Sequence, residues 1–476
     1  MKVSVNWLTL LPVLVPALAA ILVLLVDAVL PRRTALHWWF AAAALVGGMV
    51  ATVPAARAPV RTLCGSGQPC LYAADRVTAA LQLAAFACSL VAVLLAVPVR
   101  RASRLTAVEA SAVLSATAGA VGVGAARDLG AWLVLLELAT LPLVALVAFR
   151  ARRTAVDGAL SMLTTALTSF GVTAVGAALW FSATGSATFL GDAAAQAMLD
   201  DDKRRGVVLA VLLLVAGVAF KLSLAPFHAW TPEAFDGAST PIGALLATTS
   251  KIAAVAALVV VLRSASAISS STLYVLGALA LASMTLGNLM ALREQRTLRF
   301  LAWSTIAQAG WVVLPLSTVD RPGLPASVAY LVVYAVATLV VFAVVTLVAH
   351  ADGRDAATDL SAYRGILRTR PVAGLALALA LLVLAGLPPG VVGLVAKVAA
   401  IVPVVHQHAW WLAIGAALNA MLGVAVYLRW LWLLWQPAGA AQRDPAHPVH
   451  RVVVALGLLA LVVTSVLPGT VLAFLR

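Results

Sequence analysis

The chain has 476 residues, is 63% hydrophobic and only 11% charged, and has a mean hydropathy of +1.04. Soluble domains carry roughly 25% charged residues, so this chain cannot cover a water-facing surface and its main solvent is a bilayer. Its net charge of +14 lies in arginine clusters between apolar runs, as topology signals beside anionic lipid do, and without a nucleic-acid-binding motif it excludes nucleic acid as a partner.

About 20 residues cross the hydrocarbon core as a helix, and apolar runs of that length recur along the whole chain. Fourteen spans are predicted, at 6–30, 35–53, 78–98, 106–125, 129–149, 159–183, 206–227, 239–262, 268–292, 299–318, 326–349, 372–400, 408–435 and 450–474. Backbone groups find no water inside lipid, so these are helices rather than open strands, and the fold class is an all-α polytopic membrane protein. The first run has a weak A-x-A-like site at Ala17 and Ala19 but continues to Pro31-Arg32-Arg33. That is too long for a signal-peptide core and reads as a retained helix.

Between the second and third spans, Cys64 and Cys70 flank GSGQP, and they either pair or remain two free thiols. With Cys88 they complete the cysteines, and no CxxC or zinc-type cluster is present. Arginine is denser after odd-numbered spans, at Arg32, Arg33, Arg100, Arg101, Arg104, Arg150, Arg152, Arg153, Arg354 and Arg443 among others. The opposite side holds fewer basic residues, among them Lys2, Arg321 and Arg476. This bias places the first set of loops in the cytoplasm and both termini outside.

Lysine follows a different rule. Of Lys2, Lys203, Lys221, Lys251 and Lys397, the last three fall inside spans. A lysine at a helix centre costs roughly 2.5 to 3.5 kcal/mol on insertion scales, so three of them need a reason. An ammonium, unlike a guanidinium, gives up its proton when desolvated, which suits a proton relay; a structural ion pair locking two helices is the alternative. Glu137, deep in the fifth span, is the carboxylate that matches Lys221, while Asp27 and Asp157 lie near span ends and Asp128 is placed to cap the fifth span. Arg429 lies near a helix end, where it can snorkel.

The stretch AFKLSLAPFHAWTPEAF, residues 219–235, combines a buried lysine with a helix breaker. Pro226 implies a broken helix beside Lys221, tolerated in lipid only where protein or water satisfies the freed carbonyls. His228 is either a proton carrier near neutral pH or a hydrogen-bonded histidine at a helix end. Thr231, Glu233 and Asp236 are expected at the mouth. A second break, GLPPGVVGLVAK at 386–397, interrupts the twelfth span, with Lys397 in its second half. The breaks are five spans apart, and an odd offset inverts orientation, so spans 4–8 and 9–13 are expected to form two inverted five-helix repeats, each with a broken helix. The expected divisions are an N-terminal segment at 1–105, repeats at 106–262 and 268–435, and a C-terminal helix at 450–476.

Together with ARDLGAWLVLLELATLPLVALVAF and GNLMALREQRTLRFLAWSTIAQAGW, these stretches resemble the antiporter-like subunits of proton-pumping NADH:quinone oxidoreductase, respiratory complex I, and within them the subunit N branch. The resemblance implies a membrane-plane proton relay through Glu137, Lys221, Lys251 and Lys397, with His228 supporting it. It also implies M-like and K-like membrane subunits as neighbours, a bacterial plasma membrane, and quinone, NADH, FMN and iron–sulfur clusters in other subunits rather than in this chain. A multisubunit cation/proton antiporter, a membrane hydrogenase, and a non-pumping structural subunit are the alternatives. The chain departs from the pattern at Gln308, where many relatives have histidine, and around Ser161, where subunit N relatives often have a lysine.

Overall fold

The computed structural model describes residues 3–30, 34–65, 70–99, 105–189, 193–264, 270–318, 323–351, 359–437 and 446–469. All fourteen predicted spans are present. Among the described residues, thirteen helices or helix pairs are long and apolar enough to cross a membrane, and the remaining span, the twelfth, is split into Pro371–Ala385 and Val391–His406. The sixth is longer than predicted, Arg153–Thr184, and the seventh stops early, at Asp201–Leu222. Arg32, Arg33, Arg100, Arg101, Arg104, Arg321, Arg354, Arg443, Lys2 and Arg476 lie outside the described residues, as does the end of the fourteenth span.

Helix ends follow from local chemistry. Asp128 accepts a hydrogen bond from the Ala131 N–H at 2.8 Å and caps the fifth span, as expected. Asp200 caps the seventh, and Asp201 and Asp202 in its first turn complement the positive end of the helix dipole. Arg429 donates to the Ala291, Leu292 and Glu294 carbonyls, which places its charge at the carbonyl end of the helix Ser270–Arg293. Asp157 is exposed, whereas Asp27 faces the buried ring of His37 at 3.3 Å.

Two features were missed. Val3–Ser4, ahead of the first span, joins Val60–Gly65 and Cys70–Ala74 of the connection between the second and third spans in a three-stranded antiparallel sheet. Cys64 and Cys70 are directly opposed partners in it and are joined by a disulfide, which resolves the two alternatives in favour of pairing. In addition, the fifth and eighth spans are not continuous. The fifth breaks between Leu129–Leu138 and Leu141–Ala148, and the eighth at Thr248, between Thr240–Ala247 and Thr249–Ser264.

Asp75 ties the sheet to the bundle. Its Oδ1 accepts from the N–H and hydroxyl of Thr78, both at 2.9 Å, and Arg263 Nη2 lies 2.8 Å from Oδ2. Burial alone would raise the Asp75 carboxyl, but the Thr78 N–H and the Arg263 charge outweigh it and hold the group below its ordinary range. A carboxyl depressed in the folded state stabilises fully above its unfolded pKa and loses that contribution as pH falls through the folded value. Asp75→Ala should therefore cost about 1 kcal/mol at neutral pH, with a deficit that narrows below about pH 4. Thermal unfolding of both forms in nanodiscs across pH would check this, and a deficit independent of pH would count against it.

Candidate functional site

The first break starts where the helix Asp201–Leu222 ends. Ser223 takes the left-handed conformation, φ +62°, a turn usually assigned to glycine. Residues 223–229 then run without regular helix, through a cis bond before Pro226, until the helix Trp230–Gly237 begins. A helix ending inside the bundle leaves carbonyls without intrahelical partners, and lipid offers them none. Here the backbone N–H of Leu224 meets the Ala219 carbonyl at 3.0 Å, and two of the others are met by side chains. Lys251 Nζ donates to the Lys221 carbonyl at 3.0 Å, and the Trp230 indole N–H donates to the Phe220 carbonyl at 3.0 Å. On the far side of the break, the Ala225 N–H donates to Ser283 Oγ at 2.8 Å.

The second break repeats the chemistry. The helix Pro371–Ala385 ends at Gly386, φ +78°, and Val391–His406 resumes after Pro388 and Pro389, which are joined by a cis bond. Lys397 Nζ donates to the Ala385 carbonyl at 2.7 Å, and Gln308 Nε2 to the Leu384 carbonyl at 3.3 Å. Each of these two ammonium groups therefore seats on the last carbonyls of a half-helix, at the negative end of its dipole. Each also lies over an indole: Lys251 is 4.9 Å from the Trp230 ring centre and Lys397 5.3 Å from that of Trp311. The sequence left the direction of the Lys397 side chain open; in the structure it points into the break.

Lys221 points the other way, to the fifth span. Its ammonium is 2.9 Å from Glu137 Oε1, an ion pair by distance, though the approach falls outside hydrogen-bond geometry, and it donates to Thr140 Oγ1 at 3.2 Å. Thr140 sits at the break of the fifth span, which turns its hydroxyl inward. A cavity of about 10 Å³ lined by Thr140, Thr165, Ser169 and Lys221 adjoins the pair, enough for about one water molecule. Lys221, Lys251 and Lys397 are all buried.

Ser223 and Thr140 were not singled out, and Thr231 was expected at the mouth, yet all three bond at or beside the buried lysines. Lys251 donates to Ser223 Oγ at 2.6 Å, and the Thr231 hydroxyl donates to the same oxygen at 2.6 Å. Thr231 is thus fully buried rather than at the mouth, where only Glu233, exposed, and Asp236, paired with Arg296 at 2.6 Å, are found. His228 is half-buried against the Trp303 ring, 5.6 Å between centres, and among the described residues its ring makes no hydrogen bond to either lysine. A serine in a left-handed cap beside a buried lysine was the available signal, but only the backbone reveals the cap.

Gln308 is buried in a polar chain. It accepts from the Tyr330 hydroxyl at 2.5 Å and donates to the Tyr427 hydroxyl at 2.8 Å, which in turn lies 2.6 Å from Ser304 Oγ. An amide does not titrate, so this junction orients neighbours rather than storing a proton. Among the described residues no group of His, Cys, Asp and Glu is arranged to hold a metal ion.

Apolar helices spanning a membrane along the whole described chain, two of them interrupted five spans apart, give the fold of the antiporter-like membrane subunits. Residues 126–423 match the family described as NADH:quinone oxidoreductase/Mrp antiporter, transmembrane region. NADH-quinone oxidoreductase subunit N of Salinispora tropica is 37% identical over 449 residues, 91% of this chain and 86% of that protein. Subunit N 2 of Streptomyces griseus is 36% identical over 92% of this chain and 84% of its own length. A chain of respiratory complex I from Thermus thermophilus superposes with a TM-score of 0.83 at 29% identity, covering 97% of this chain and 98% of that one. The chain belongs to the NADH:quinone oxidoreductase/Mrp antiporter family of membrane subunits, among its subunit N members.

Gly393 sets the position of Lys397, because a Cβ there would collide with the Val383 carbonyl oxygen. Gly393→Ala should therefore push the two half-helices of the twelfth span apart and cost about 1 to 3 kcal/mol, the range for overpacking. The check is a lowered thermal midpoint of the purified membrane complex; an unchanged midpoint would contradict this packing.

Proposed function

We propose that the chain is a proton-translocating membrane-arm subunit of an NADH:quinone oxidoreductase in a bacterial plasma membrane, with both termini on the outer side. Residues 106–262 and 268–435 act as its two inverted repeats, flanked by the segments 1–105 and 450–476. M-like and K-like membrane subunits flank it, and quinone, NADH, FMN and iron–sulfur clusters belong to other subunits.

The observation that carries this reading is the gathering of buried polar groups at the first break: Glu137 pairs with the Lys221 ammonium, and Lys251 seats on the Lys221 carbonyl and on Ser223 Oγ, which Thr231 also meets. With Glu137 close, the Lys221 ammonium keeps its proton; with Glu137 withdrawn, desolvation favours the neutral amine and the proton moves on. Lys251 and Lys397 accept and release it at the two breaks, and Lys397 addresses the far neighbour. His228 contributes from the rim of the first break. Quinone reduction elsewhere in the complex drives the cycle.

A structural reading is favoured by one fact, the closeness of the Lys221–Glu137 pair, which a static salt bridge shares. The two part on substitution. In the native host, Lys221→Met should lower quinone-coupled NADH oxidation and proton pumping by about ten-fold or more, equivalent to roughly 1.4 kcal/mol of barrier, while the complex stays assembled. Full activity at full assembly would leave the lysine structural.

Ser223→Gly separates stability from transport in a second way. It removes the hydroxyl that joins Lys251 to Thr231 but relieves a left-handed serine, a strain of roughly 1 to 2 kcal/mol. The lost hydrogen bond to a charged group is worth about 1.5 to 3 kcal/mol, so stability should change by no more than about 2 kcal/mol while pumping in vesicles falls. Undiminished pumping would remove Ser223 from the path.

A further inference from the structure

Beside Lys397 the thirteenth span places Gly423, buried within the helix Trp410–Leu433. Glycine inside a helix is less favourable than alanine, and close packing does not require it here. A Cβ on Gly423 would stand 3.7 Å from Asn288 Oδ1 and 4.0 Å from Lys397 Nζ, which are ordinary contact distances. At Gly415 and Gly277, on the same pair of helices, a Cβ would come within 2.7 Å of Leu281 and 2.6 Å of Leu412. Gly423 thus keeps room between an ammonium and an amide oxygen. That amide belongs to a polar seam between the ninth and thirteenth spans. Asn288 Nδ2 donates to the Asn419 carbonyl at 3.2 Å, and Asn419 Nδ2 donates to Thr285 Oγ1 at 3.0 Å and to the Gly415 carbonyl at 2.9 Å. Both asparagines are buried, whereas Thr285 is exposed. Asn419 Oδ1 is buried with no hydrogen-bond partner among the described residues.

We propose that a water molecule binds beside Gly423, between Lys397 Nζ and Asn288 Oδ1, and that Asn288 positions it to carry protons to and from Lys397. The inference rests on the relay reading given above and adds to it the path by which Lys397 exchanges its proton. Buried amides are costly unless their hydrogen bonds are made, and a polar space with two or more such partners is one that water fills. In the transfer, the ammonium gives its proton to this water while the water passes one of its own to a second water at Asn419 Oδ1, towards the exposed Thr285. Lys397 is left as the neutral amine, and neither asparagine changes charge, because an amide does not titrate. Amides that only join two helices would account for the Asn288–Asn419 bond, but not for a glycine where alanine fits.

The test is Gly423→Ala, which fits without a clash and takes the place of the water. In the assembled complex from the native host it should leave the thermal midpoint unchanged or raised. Proton pumping in vesicles should nevertheless slow about five-fold, the effect of one lost hydrogen bond on a rate. Asn288→Leu should slow pumping to a similar extent, whereas Asn288→Ser, whose hydroxyl can still hold the water, should retain most of the parent rate. Cryo-electron microscopy of the unaltered complex should show a density about 3 Å from both Lys397 Nζ and Asn288 Oδ1, absent in Gly423→Ala. Full pumping by Gly423→Ala, its failure to assemble, equal losses in the leucine and serine forms, or a map without that density each overturns the proposal. Lys397→Met in the same vesicles separates two kinds of failure. If it is impaired while Gly423→Ala pumps fully, the water alone is wrong. If Lys397→Met pumps fully, the relay through Lys397 is wrong and this inference falls with it.

Discussion

The carbonyl ends of two helices interrupted inside the membrane constrain everything else in this chain. A soluble protein would leave such ends to water. In hydrocarbon each unsatisfied group costs several kcal/mol, so the fold must bring a donor to each one, and the donors it brings are Lys251 at the Lys221 carbonyl and Lys397 at the Ala385 carbonyl. The expense of burying an ammonium and the expense of breaking a helix thus offset one another. That reciprocity explains why a buried lysine attends each break: Lys397 follows Pro388 and Pro389 closely in sequence, and the eighth span brings Lys251 to the break at Pro226.

The same arrangement makes the site responsive. Lys251 and Lys397 are held by carbonyl dipoles and an indole face, and among the described residues neither has a carboxylate at ion-pair distance. Lys221 differs in having Glu137 beside it, so in the proposed relay it is the position at which movement of one carboxylate would change the charge. The fifth span is itself broken at Thr140, next to Glu137, which places the carboxylate on a segment end rather than in a continuous rod. Gln308 does not titrate, and its hydrogen bonds to Tyr330, Tyr427 and the Leu384 carbonyl tie the tenth, eleventh, twelfth and thirteenth spans together.

Much of this was legible in the residues, and the exceptions have physical causes. Spans are visible because about 20 apolar residues have few other uses. Asp128 before an apolar run is a recognisable cap, and proline near lysine within such a run announces a break. The breaks at Thr140 and Thr248 were not visible, because helices apolar all round carry no periodicity against which an interruption stands out, and a single threonine bonding back to the preceding turn is common. The role of Ser223 was hidden for a related reason, since its left-handed turn is a property of the backbone. Thr231 was misjudged because its neighbours Glu233 and Asp236 are polar, while its own position on Trp230–Gly237 faces inward. The disulfide was open because a six-residue separation permits either state until the hairpin register is known.

The central claim is that Lys221 and Lys251 act as one unit through the Lys221 carbonyl and Ser223. The most direct test is a double-mutant cycle on quinone-coupled proton pumping in vesicles, with Lys221→Met, Lys251→Met and the two combined, at matched assembly. Residues that act together are non-additive, so the account predicts that the double variant loses little more than the worse single one. Losses that multiply, with each lysine contributing independently, would contradict it.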